Sequence, residues 1–336
     1  MPCRKNYTNT NMLSSQIAEL TNNYLQLCKS LHNKLEGGNL YDKNGKLLIS
    51  EKEAEKLLET FSKLVFTRNK LATENGYNNF FEYIADWDGV DKGLLKEFLN
   101  PPTSTHFLNK FKTIAGSVEV KVGLNKNYTP NHTFNFSGSR NGIVEMVEHY
   151  YLNHRSISPS IIKRIKIVRD ETAPYFSSSV DDEIAIVTVI GEETTNTFAI
   201  NLCHEYSHAV FQLELLDSGI SSSGVKMYEQ EKVAINDEFA FQNLYFDRTG
   251  KTFYTLNMFD RFISTFFEKE VYSFPVKISD DLAVSLGQIY SKVRKKFLPG
   301  LSEKDNLTFL FDSFLVTMPC YYTNYSVLYF EKLFAD

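Results

Sequence analysis

The residues best equipped for chemistry are His204 and His208, with Glu205 between them in the run His204-Glu205-Tyr206-Ser207-His208. The run sits inside residues 196–212, which contain no Pro or Gly and read as helix. Four residues is a little over one helical turn, so both imidazoles leave one face and can grip one ion. Glu205 lies beside His204 and slightly off that face, where it reaches a water at the ion rather than the ion itself. Two neutral nitrogen ligands, an open coordination position and an adjacent carboxylate base are what a zinc hydrolase needs. The competing reading is a chance pentapeptide on a buried helix, which is rare in a chain with only seven histidines.

Zinc takes a third protein ligand, and an acidic helix downstream is the place to look for it. The stretch from Tyr228 to Phe241 offers Glu229, Glu231, Asp237 and Glu238. Glu231 lies 23 positions past His208 and Glu238 lies 30 past it. Being seven apart, the two share a helical face, so one can hold the metal while the other hydrogen-bonds a ligand histidine. Glu231 is favoured, because Ala234, three residues on, is small enough to let this helix press against the motif helix. Glu238 is the alternative ligand. Lys232 and Asp237 are expected to face water.

Those helices must be positioned by the rest of the chain. Its 336 residues suffice for a large core, as one catalytic unit with lobes at 11–170 and 171–336. Hydrophobic content of 43% and charged content of 23% are those of a soluble globular protein. A net charge of −5 gives no electrostatic reason to expect nucleic acid. There is no apolar run long enough to span a membrane and no apolar signal core at the N-terminus. The four cysteines, at 3, 28, 203 and 320, show no paired spacing, which fits a reducing, cytoplasmic compartment. Cys203 and Cys320 read as buried free thiols. The 27 Phe and 19 Tyr are expected chiefly in the core.

Helical periodicity marks residues 11–35, ended by Gly37-Gly38, and a second helix capped by Ser50 with Glu53 that runs to Asn75-Gly76. Short helices follow around residues 79–84 and from Lys92 to Leu99. Residues 103–140 are rich in Gly, Asn, Thr and Ser, with one alternating segment at 117–122 that suggests a strand. Helices are expected from Asn141 to about His154 and from Ile161 to Val168. The β-branched run 183–190 reads as a strand leading through a turn at Gly191 into the motif helix. The outer edge of such a strand can add an extended substrate as one more strand. Beyond a flexible loop at 217–224, helices are expected at 227–246, 257–270, 279–297 and 303–334. About ten helices with one small sheet make a mainly α protein.

Four segments resemble the thimet oligopeptidase and oligoendopeptidase F group of zinc metallopeptidases. Residues 67–83 (TRNKLATENGYNNFFEY) are similar to that group's R-N-x-x-A…G-Y-x-N helix and turn. Residues 173–177, 184–190 and 195–208 follow its order of loop, edge strand and motif helix. Residues 231–238 (EKVAINDE) match its E-x-x-[S/A]-x-x-x-E, which implies Glu231 as third ligand and Glu238 as partner of a ligand histidine. Met318-Pro-Cys-Tyr-Tyr-Thr-Asn-Tyr325 resembles the C-terminal segment whose tyrosines hydrogen-bond the substrate carbonyl and developing oxyanion, which implies Tyr321 and Tyr325. The resemblance implies a mainly helical gluzincin fold, with a small antiparallel sheet beside the HExxH helix and two lobes around a cleft. It also implies one zinc ion and oligopeptide substrates. Members are longer, so lid or channel helices are expected to be missing. Ser207 stands where they carry Gly. No histidine precedes the tyrosines; Leu315 and its neighbours fill that stretch. Thr323 or Asn324 replaces one tyrosine.

Two functions follow from these readings. In the first, His204, His208 and Glu231 hold zinc, Glu205 is the general base of peptide hydrolysis, and Tyr321 or Tyr325 stabilises the oxyanion. In the second, the chain binds peptides but has lost turnover. Retention of Glu205 favours the first.

Overall fold

The computed structural model describes residues 5–35, 40–42, 46–100, 140–171, 173, 176–181, 183–190, 196–245, 258–273, 280–297 and 307–334. Gly37-Gly38, the strand expected at 117–122 and the turn at Gly191 lie outside them. The fold is mainly helical with one three-stranded sheet. Contacts divide the chain into two compact units. The described helices of residues 258–334 fall in the unit that holds the N-terminal helices, and the motif helix falls in the other, where the sequence suggests lobes at 11–170 and 171–336.

The first unit contains α1 (Lys5–Leu31), α2 (Glu51–Glu74), α3 (Phe80–Asp88) and α4 (Lys92–Leu99), followed much later by four C-terminal helices. Local chemistry sets the starts of its helices. Ser50 and Glu53 form the expected capping box on α2, with Glu53 Oε2 accepting from the Ser50 N–H at 2.9 Å. Asn79 and Asp91 cap α3 and α4 in the same manner, each accepting from the N–H three residues on. Gly89, at φ 78°, ends α3 in the left-handed conformation that a side chain would oppose. The interior is aromatic, as expected: Phe61, Phe267 and Phe309 pack together, and Phe98 packs on Phe262, Phe266 and Phe330.

The C-terminal helices of this unit are α9 (Met258–Ser273), α10 (Asp280–Phe297), α11 (Phe314–Thr317) and α12 (Tyr322–Phe334). The single helix expected at 303–334 is therefore broken. Pro319 cannot continue a helix, and Cys320 adopts φ 64°, a left-handed turn between α11 and α12. Glu268 of α9 holds that turn by accepting the Cys320 N–H at 2.7 Å.

The second unit holds α5 (Arg140–Asn153), α6 (Pro159–Ile162), the sheet, α7 (Asn196–Asp217) and α8 (Met227–Tyr245). The strands are β1 (Ile165–Arg169), β2 (Ser177–Asp181) and β3 (Ile184–Val189), in spatial order β1-β3-β2. Residues 161–168, expected as helix, form only the end of α6 and then β1; Ile165 and Ile167 alternate with exposed neighbours, a period-two pattern. The sheet is mixed rather than wholly antiparallel. Two residues join β2 to β3, which forces an antiparallel pair, while β1 runs parallel to β3 on its other side. Both sides of β3 are thus hydrogen-bonded, so it is a central strand and offers no free edge to a substrate. Its inward residues Ala185, Val187 and Val189 join Phe198, Ile200, Leu202, Val210 and Leu213 of α7 in one core. Full burial of each large side chain there is worth roughly 1.5–3 kcal/mol, which anchors the motif helix firmly.

Candidate metal centre

Helix α7 is buried over nearly its whole circumference through the motif, and Glu205 is the only residue of 202–210 that is not buried. His204 and His208, 4% and 9% exposed, stand one turn apart with ring centroids 4.8 Å from each other. Their Nε2 atoms approach to 3.1 Å. Glu231 reaches in from α8, its Oε2 lying 3.3 Å from His204 Nε2 and 3.6 Å from His208 Nε2. Among the described residues this is the one cluster of such ligand atoms drawn within 4.8 Å. Glu238 takes the opposite nitrogen of the first histidine, with Oε1 2.9 Å from His204 Nδ1. With its proton on Nδ1, His204 would donate to Glu238 and direct its Nε2 lone pair at the cluster.

The arrangement fits a zinc ion by two separate criteria. A tetrahedral site with bonds of about 2.0–2.1 Å has ligand–ligand edges of about 3.3 Å. The three edges here are 3.1, 3.3 and 3.6 Å. Charge is the second criterion. Glu231 and Glu238 are 2% and 0% exposed, and with neutral imidazoles they bring two negative charges into the interior. A dication offsets both, where unpaired burial would cost several kcal/mol per carboxylate. The pull on positive charge is visible in the protein's own groups. Burial pushes His204 down, but Glu231 and Glu238 together raise it to about 10. Burial pushes Glu231 up, yet His208 and His204 hold it well below the usual carboxylate range.

Of the other acids on α8, Glu229 is exposed. Asp237 does not face water as expected: it is 2% exposed and surrounded by donors. Tyr150 Oη donates to it at 2.9 Å, Ser207 Oγ at 2.6 Å, and Arg155 Nε lies 3.2 Å away. Helix α8 is buried on several sides, so its acids are not sorted into one wet face; Ile235, Phe239 and Phe241 flank Asp237 and are also buried. The available signals were the Ser in place of Gly within the motif and an acid set among aromatics. Lys232 is half-buried, its Nζ 6.0 Å from the ring centre of Tyr228.

Tyr321 and Tyr325 belong to the first unit, Tyr325 in the first turn of α12 and Tyr321 immediately before that helix. One turn apart, they share a face, with hydroxyls 2.9 Å from each other. The Arg261 guanidinium lies 3.8 Å over the Tyr325 ring. Thr323 and Asn324 are buried, and Asn324 Nδ2 donates to Asp88 at 2.8 Å. Cys203 and Cys320 are buried free thiols.

No family model and no curated protein matches the chain. Solved structures do. A PZ peptidase A with an inhibitor superposes with a TM-score of 0.61 at 16% identity, over 93% of this chain and 64% of that one. An oligoendopeptidase F superposes with a TM-score of 0.62, again at 16% identity, 93% and 64% coverage. The chain has the fold of these peptidases. It spans less than two thirds of the length of either. Among the described residues, no helix is long and apolar enough to cross a membrane.

Proposed function

We propose that the chain is a zinc-dependent peptidase that hydrolyses oligopeptides. The observation that carries this reading is the triangle of His204 Nε2, His208 Nε2 and Glu231 Oε2, with Glu238 fixing the first histidine from behind. The shared fold with two peptidases supports it. Bound there, zinc would supply Lewis acidity to a water and to the scissile carbonyl. The chain's residues do the rest. Glu238 keeps the proton of His204 on Nδ1, so that Nε2 is a ligand, and Glu231 contributes an anionic oxygen. Glu205, the partly exposed member of the motif, takes the proton of the attacking water as its oxygen bonds to the carbonyl carbon. It returns that proton to the amide nitrogen as the C–N bond breaks, which regenerates the base. Tyr321 or Tyr325 donates its phenolic proton in a hydrogen bond to the substrate oxygen as charge develops there.

A fluorogenic peptide library tests this directly. Cleavage is expected from the purified protein, is abolished by a chelator and returns on adding zinc. A chain that takes up zinc but cleaves nothing would support a peptide-binding role instead. A chain that takes up no zinc would end the reading.

A further inference from the structure

Asp237 is a buried carboxylate beside Glu238, and its partners come from three places along the chain. Tyr150 and Tyr151 lie on α5, Arg155 just beyond it, and Ser207 lies inside the motif, immediately before His208. The Ser207 contact is the shortest at 2.6 Å. Tyr151 Oη lies 3.0 Å from the carbonyl of Cys203, the residue before His204, and 3.2 Å from Asp237 Oδ2. Its single proton is shared between the two helices that carry the candidate ligands. This network therefore grips α7 on both sides of His204 and grips α8 next to Glu238.

We infer that Asp237 and Ser207 are positioning residues that set the rotation of α8 against α7 and so hold Glu231 and Glu238 on the histidines. This rests on the zinc reading above. The geometry shows why such a lock matters. A carboxylate oxygen lies about 6 Å from its helix axis, so turning α8 by about 10° moves that oxygen by about 1 Å. Metal–ligand distances fall within about 0.2 Å of their usual values, so a movement of about 1 Å takes an oxygen out of bonding range. Apolar packing is non-directional and tolerates small rotations. Hydrogen bonds to one carboxylate from Ser207, Tyr150 and Tyr151 do not, because they weaken steeply with misalignment.

The decisive variant is Ser207→Ala, which removes one hydroxyl and nothing else; Asp237→Asn addresses the other end of the same bond. Val187→Ala, a cavity in the core under α7, controls for simple loss of stability. Zinc affinity is measured by competition with a chromophoric chelator. The visible spectrum of the cobalt-substituted protein reports ligand geometry, and thermal melting of metal-free protein reports stability. Ser207→Ala is expected to bind zinc about 10–100-fold more weakly and to change the cobalt spectrum. Asp237→Asn should do the same, and the double variant should lose less than the product of the two single losses. Val187→Ala should melt lower with unchanged affinity and spectrum. If Ser207→Ala binds zinc as tightly as the natural chain, with the same spectrum and only a lower melting temperature, the positioning role is overturned. If the natural chain itself takes up no zinc, the underlying metal reading fails, which is a distinguishable result.

Discussion

Replacing Glu231 and Glu238 in turn separates a ligand from the residue that orients one. Both are buried carboxylates on the same face of α8, and both touch His204, but at opposite nitrogens. Structural zinc sites release about 10–16 kcal/mol on binding; shared over their four protein ligands, that is roughly 2.5–4 kcal/mol each. Glu231→Ala should therefore weaken zinc binding by about 10²–10³-fold and leave a site that empties on dialysis. Glu238→Ala leaves all three ligand atoms in place and removes the acceptor of the His204 Nδ1 proton. Such changes typically cost about 10–100-fold. Competition with a chelator near neutral pH measures both, and melting of the metal-free variants excludes unfolding. Should Glu238→Ala prove to be the metal-free variant while Glu231→Ala retains zinc, the roles are exchanged and the geometric reasoning is wrong.

Glu205→Gln keeps size and packing but removes the base, so zinc should stay bound while cleavage falls by about 10²-fold or more; loss of zinc instead would make Glu205 a ligand. His208→Ala should remove most of the zinc, as judged by metal analysis after dialysis. Arg68 is buried in the first unit and donates to Tyr272 Oη and to the carbonyls of Leu315 and Val316. Arg68→Ala should cost about 3 kcal/mol or more in urea unfolding, since it strands buried acceptors. Glu268 is wholly buried, and burial pushes its carboxyl up to about 8, against the Cys320 N–H and Arg68 and with help from Asp312. The folded chain thus holds this proton more tightly than the unfolded one, whose carboxyl titrates near about 4.3. Its contribution is most favourable below that pH and declines as pH rises through about 8, by on the order of 2–5 kcal/mol. Glu268→Gln should flatten that decline relative to the natural chain in urea titrations across the range; parallel curves would contradict the assignment.

Much of the site is written in local spacing. The i, i+4 histidines and the i, i+7 glutamates each share a helical face wherever those helices lie, so His204, His208, Glu231 and Glu238 could be grouped before any fold was known. The capping box at Ser50 and Glu53 is equally local. Features that depend on distant partners were not legible. Residues 165–169 are a short apolar run whose strand character comes from pairing with β3, some 20 residues on. That pairing also takes the edge from β3. Asp237 reads as a surface acid because its donors lie 30 to 87 residues away, on helices that only the fold brings to it. The break before α12 was partly visible in Pro319; the left-handed Cys320 was not, being held by Glu268 from 52 residues away.

The central claim is that one zinc ion sits between α7 and α8. Anomalous scattering on either side of the zinc absorption edge, from crystals of the natural chain grown with zinc, tests it most directly. The account predicts a single peak in contact with His204 Nε2, His208 Nε2 and Glu231 Oε2. An empty triangle in crystals of a chain that cleaves peptides, or a peak on other residues alone, would contradict it.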